Sequence, residues 1–203
     1  MAELTMQTPP PLSLRLREAT HDLHRAAEGA RFQRELVKGR LPLACYVAWL
    51  VQMQTVYTTL ERHLPATGFD ADPWRRTPQL ERDLRHWAAG NGVAAATLTF
   101  TTQLARWAES EPWALVGVLY VLEGSTNGSR HIARVLRTAY DRSGDEGLAF
   151  LDPYGAEQPA RWAAFKVQLD SVVPAEAAPA LFIGAEATFR AVIAMGEELL
   201  PGG

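Results

Sequence analysis

His24 and Glu28 stand four residues apart in the segment Leu16–Glu28. On a helix, residues at that spacing are stacked neighbours. A carboxylate there can accept from one imidazole nitrogen and leave the other free for a metal. Metal-ligating histidines usually have such a partner. The spacing also suits an ordinary surface His–Glu pair, and taken alone it favours that plainer pairing. His24 adjoins Leu23 and Ala27, which predicts a ring turned partly inward and makes His24 the candidate metal ligand.

Glu18 and His21 form a Glu-x-x-His motif in the same segment. Carboxylate-bridged di-iron bundles need two such motifs and two more glutamates. The residues three before His63, His86 and His131 are Leu60, Asp83 and Gly128, so no second motif exists. Cys45 is the only cysteine, which excludes an internal disulfide framework and any multi-cysteine zinc or iron–sulfur site. Its apolar neighbours mark it as structural. A cage of protein ligands is therefore hard to build.

The third feature is the run Gly124–Arg130, which holds Ser125, Thr126, Asn127, Gly128 and Ser129 inside an otherwise apolar helical stretch. Glycine in a helix interior costs about 0.5–1 kcal/mol relative to alanine. Two glycines four apart permit a bend and a close approach to something flat. Close helix–helix packing explains the glycines equally well, but it explains the polar cluster less well. Buried hydroxyls need partners, and a ligand or water would supply them. The run lacks the lysine and the preceding strand of a phosphate loop.

These residues must be held by helices. Leu16, Leu23, Ala27 and Ala30 recur at helical spacing after Ser13, a plausible N-cap. Pro42 opens a helix running to about His63. Shorter helices are predicted near 78–89 and 98–109. Pro112 opens a helix apolar on every side through Leu122, which turns polar and Gly-rich after Gly124 and resumes over 132–140. Residues 143–155 read as loop, Trp162, Phe165 and Leu169 mark a helix, and Pro174 opens the last one, to about Leu200. No stretch alternates like a strand. The expectation is an all-α bundle of seven or eight helices, one domain over 13–203, after a Pro-rich, frayed segment 1–12.

The 203 residues are 47% hydrophobic and 21% charged, as in ordinary globular domains. A balance of 20 basic against 23 acidic residues argues against a dedicated nucleic-acid binder. Lys38 and Lys166 are the only lysines. Met1–Pro11 has neither the basic start nor the apolar stretch of a signal peptide. The longest apolar run, Trp113–Leu122, is about half a bilayer-spanning helix. A cytoplasmic protein without membrane or nucleic-acid partners is expected.

Two segments in combination resemble the heme oxygenase family. Leu16–Glu28, continuing through Phe32 and Gly39 to Tyr57 and Glu61, resembles the proximal half. Tyr120–Arg130 resembles the distal helix, most closely in the bacterial branch found beside bacteriophytochromes. Gly147–Phe150 and Trp162–Asp170 also fit, so the resemblance covers nearly the whole chain after Ser13. It implies the all-α heme oxygenase fold, with heme b held between the first helix and a Gly-kinked distal helix. His24 matches the proximal ligand and Glu28 its partner. Gly124 and Gly128 match the distal glycines. Arg17, Lys166 and, less directly, Arg161 match positions for the heme propionates. The implied reaction converts heme to biliverdin, carbon monoxide and ferrous iron. It uses O2 and electrons from a ferredoxin or reductase, with a bacteriophytochrome as a receiver of biliverdin. The chain departs from the pattern at Ser125, where many members carry a water-holding aspartate; Asn127 and Arg130 are candidates to replace it. Ser129 replaces a glycine and could crowd the heme or donate to bound oxygen. Tyr120 is one position off a propionate-contacting tyrosine and is left out of the site. A heme binder without cleavage activity and a thiamin-degrading enzyme on a similar bundle are the competing readings.

Overall fold

The computed structural model describes residues 10–88, 90 and 92–200. Most of the expected frayed segment lies outside those residues. Two long apolar helices form the spine. α7 (Trp113–Ala139) and α9 (Ala178–Glu198) pack along each other. Gly117 on α7 and Gly184 on α9 make this possible. A Cβ on Gly117 would lie 2.8 Å from the Leu181 carbonyl carbon, and one on Gly184 would lie 2.7 Å from that of Ala114. Each glycine thus receives the other helix's backbone. By length and composition Ala175–Glu198 could cross a membrane, but here it lies in the core against α7.

α4 (Leu43–His63) follows Pro42 as expected, and packs on α5 (Thr77–Trp87) and α6 (Ala95–Ser110). α8 (Gln158–Val172) lies on α7. Residues 143–155 form a loop that is tied down. Asp83 accepts from the amides of Ala149 (3.0 Å) and Phe150 (2.8 Å). Trp87 and Tyr46 donate to the Gly147 carbonyl at 2.9 and 3.1 Å. Gly147 has φ +78°, and any side chain there would strike the Trp87 indole, so glycine is required.

The all-α expectation holds, with three corrections. The first helix is three: α1 (Leu12–Ala19), α2 (His21–Gly29) and α3 (Arg31–Val37). This gives nine α-helices among the described residues rather than seven or eight. Thr20 turns its hydroxyl back to the Leu16 carbonyl (2.7 Å) at the end of α1, and Ala30 adopts extended backbone after Gly29. Ser13 is not a cap. Its amide and hydroxyl both donate to Asp170 on α8 at 2.7 Å, a tertiary tie between α1 and α8. α2 rests on α9 but contributes no buried side chain. α7 is helical through both glycines, without the expected interruption before Ile132.

Candidate functional site

On α2, the His24 side chain is 57% exposed rather than turned inward. Its ring stands edge-on over Phe189 of α9, centroids 5.8 Å apart. Nδ1 lies 3.7 Å from Glu28 Oε2, an ion-pair distance rather than a hydrogen bond. The imidazole is thus supported from below by an aromatic ring and open to solvent. Glu18 and His21 fall on different helices, and His21 pairs with Asp22 at the surface (3.2 Å). Among the described residues no three His, Cys, Asp or Glu side chains could hold a metal. Cys45 is partly buried.

On α7, the polar cluster satisfies itself. Ser125 Oγ donates to the Leu122 carbonyl (2.7 Å), Thr126 Oγ1 to Glu123 (2.6 Å), Asn127 Nδ2 to Gly124 (2.8 Å) and Ser129 Oγ to Ser125 (2.9 Å). Their donors need no ligand, contrary to expectation, because short side chains on a helix reach back to its own carbonyls. The glycines differ from each other. A Cβ on Gly124 would touch the Trp162 indole at 3.4 Å, whereas one on Gly128 would meet nothing within 4 Å. Packing therefore does not demand a glycine at 128. Arg130 reaches Asp152 at 3.7 Å, so it is engaged with the 143–155 loop.

Arg17 and Lys166 come together from opposite parts of the chain. With Ser13, Leu14, Tyr120 and Trp162 they line a cavity of about 220 Å³ between α1, α7 and α8. The Lys166 ammonium lies 5.7 Å from the centre of the Trp162 ring. The Tyr120 hydroxyl donates to the Ser13 carbonyl (3.4 Å). Burial pushes that hydroxyl up to about 12, against the pull of Arg17. Tyr120, set aside on the sequence, thus belongs to the cavity wall. Its aromatic type within an apolar helix was the available signal. Arg161 is not in this lining. It pairs with Glu157 (3.7 Å) and lies over the Tyr154 ring (5.3 Å). Two cations and an apolar wall suit a flat ligand bearing carboxylates. An open groove of about 390 Å³ between α4 and α5 shares no residue with this site.

Sequence reasoning missed the polar core behind Gly124. Arg76 and Glu123 are each only 1% exposed, and Arg76 Nη2 donates to Glu123 Oε2 at 2.6 Å. The same guanidinium bonds the Tyr154 hydroxyl and lies over its ring at 4.4 Å. Burial raises the Glu123 carboxyl, with Arg76 pulling it back. Glu61 accepts from the amides of Arg76 (2.6 Å) and Thr77 (3.0 Å) and fixes the start of α5. Nothing in local sequence marks Arg76 or Glu123 as buried.

The sequence model described as heme oxygenase matches residues 10–198. The chain is 38% identical to a heme oxygenase of Xanthomonas campestris over 120 residues, 57% of this chain and 63% of that one. It is 27% identical to human heme oxygenase 1 over 157 residues, 70% of this chain and 54% of that one. It thus spans little more than half the length of these relatives. In fold it resembles heme oxygenase-1 of the cyanobacterium Synechocystis, solved in complex with heme (TM-score 0.82, 21% identity, 93% of this chain and 92% of that one). With nearly its whole length matched by that family's pattern and the fold shared, the chain belongs to the heme oxygenase family.

Proposed function

We propose that this chain binds heme b between α2 and α7 and cleaves it to biliverdin, carbon monoxide and ferrous iron. The oxidant is O2, and the electrons come from a ferredoxin or reductase. The observation that carries the reading is the convergence of Arg17 and Lys166 on one cavity beside Trp162 and Tyr120. His24, Gly124 and Gly128 lie outside that cavity's lining, but the chemistry of the set fits the group. The exposed His24 imidazole would offer a base to the iron, the open side of Gly128 a face without side chains, and two cations would match two carboxylates. Heme, when bound, supplies the iron that activates O2 and the ring carbon that is oxidised. The chain's own residues hold and orient it. Glu28 stands beside His24 Nδ1 at 3.7 Å, and closing that gap to a hydrogen bond would hold Nδ1 and leave Nε2 for the iron. Gly128 leaves open space and Gly124 lets α7 lie close to Trp162, while Ser125, Asn127, Ser129 and Arg130 sit on the same turns of α7. The bacterial cytoplasm, with a bacteriophytochrome as receiver of biliverdin, suits the branch whose Gly-Ser pattern the distal helix shares.

The test is a hemin titration followed by reduction in air. Loss of the Soret band with growth of a biliverdin band supports the enzyme. His24→Ala should abolish the normal axial ligation, and an unchanged heme spectrum in that variant would remove the proximal assignment. One observation favours a heme binder without cleavage. The Ser125, Asn127 and Ser129 donors are all taken up by helix carbonyls. A stable Soret band under reduction in air would select that reading.

A further inference from the structure

Glu123 and Thr126 project from α7 to the side away from the open glycine face, and both end in buried partners from other elements. Glu123 meets Arg76 at the start of α5 (2.6 Å). Thr126 Oγ1 accepts from Gln158 Nε2 at the start of α8 (2.6 Å), and Gln158 also reaches Asn127 Oδ1 (3.4 Å). Tyr154, just before α8, closes the set by bonding Arg76. Two polar clamps therefore bracket Gly124 on the buried side.

Stability does not explain the ionic clamp. Desolvating two charges offsets most of their attraction, and buried ion pairs are often replaceable by apolar residues without loss. Glu123 Oε1 and Arg76 Nε also lack hydrogen-bond partners among the described residues. What such a pair does provide is direction. The Gly117–Gly184 contact fixes α7 against α9 less than two turns earlier, and at Gly124 the ion pair adds a directional constraint that apolar contacts lack. A buried carboxylate that must meet one guanidinium allows a single rotation.

We propose that Glu123 and Arg76 are positioning residues: their pair fixes the rotation of α7 so that Gly124 lies against Trp162 and Gly128 faces the ligand. This rests on the heme-binding reading above. Thr126–Gln158 holds the same turn one step along the helix.

The experiment compares wild type, Glu123→Gln, Arg76→Met with Glu123→Leu, and Tyr154→Phe. Hydrogen–deuterium exchange of the apo protein over 122–130 is read against 113–121, together with hemin affinity from the Soret band. Glu123→Gln strands a buried cation, so its melting temperature falls. The double variant removes both charges and regains it. A merely structural pair predicts that exchange and hemin affinity recover with it. The positioning role predicts that they do not: exchange over 122–130 stays at least tenfold faster than wild type and hemin binds at least tenfold more weakly. Tyr154→Phe, which leaves the ion pair in place, shows a smaller acceleration over the same residues. Wild-type exchange and affinity in the double variant overturn the proposal. If the double variant does not fold, Glu123→Gln, which breaks the ion pair, decides: unchanged exchange over 122–130 in that variant overturns the proposal. Failure of wild type to bind hemin would instead remove the heme reading, and the exchange data would still decide whether the pair orders this turn.

Discussion

Replacing Gly128 with alanine separates the two reasons a helix can carry a glycine. If Gly128 serves packing, a methyl must clash. Here a Cβ would meet nothing within 4 Å, so the apo protein should gain the ordinary helix preference for alanine, about 0.5–1 kcal/mol. In a chain of 203 residues, where 1 kcal/mol moves the midpoint by about 2–4 °C, that is a rise of about 1–4 °C. If Gly128 faces the ligand, the same methyl intrudes on a flat ring. Overpacking of that kind costs about 1–3 kcal/mol, which weakens hemin binding by roughly 5- to 150-fold. The assay is a thermal melt of the apo protein and a hemin titration of the same preparation. A lower apo midpoint would show that the glycine serves packing. Unchanged hemin affinity would show that the face is not the ligand's.

Gly184→Ala should behave oppositely, because its Cβ would be driven into the Ala114 backbone on α7. A loss of about 2 kcal/mol, or about 4–8 °C, is expected, and a melt at or above wild type would refute the backbone contact. Arg17→Ala and Lys166→Ala should each weaken hemin binding about 5- to 10-fold, the scale of one partly exposed charge-assisted contact. Affinity that is unchanged and independent of salt would exclude them as carboxylate partners. Asp83 gives a pH signature. Burial raises its carboxyl above the ordinary 3.8, against the two loop amides it accepts from. The native state therefore holds that proton more tightly than the unfolded chain does. The resulting stability is complete below 3.8 and is lost as pH rises through the raised value. The stability gap between wild type and Asp83→Asn in urea melts should shrink as pH rises through that window, and a constant gap would refute it.

The long helices were legible because Pro42 and Pro112 mark their starts and their apolar residues recur without interruption. The breaks at Thr20 and Ala30 were not, because the spacing of Leu16, Leu23, Ala27 and Ala30 runs straight across them. α1 ends where the Thr20 backbone leaves helical geometry at φ −100° and ψ 3°, which leaves no trace in periodicity. Ser13 looked like a cap because nothing nearby in sequence competes for its hydroxyl, and its actual partner, Asp170, is 157 residues away. The site was legible in part. Arg17 and Lys166 do share a cavity, while Arg161 turns to Tyr154 and Glu157. Arg76 and Glu123 were invisible because a charged residue reads as surface until its partner is known.

α2 carries the candidate axial base yet buries none of its side chains. A helix of nine residues with no core of its own is marginal by itself in water, so its local opening should need far less free energy than global unfolding. Its apolar residues Leu23 and Ala27 are only partly buried against the core, so under the heme-binding reading a bound ligand would add the contacts that α2 lacks. Occupancy at a hundred times Kd adds about 2.7 kcal/mol to whatever the ligand touches. That increment should appear as slowed amide exchange in α2, while the α7–α9 spine, already sealed backbone to backbone, barely registers it.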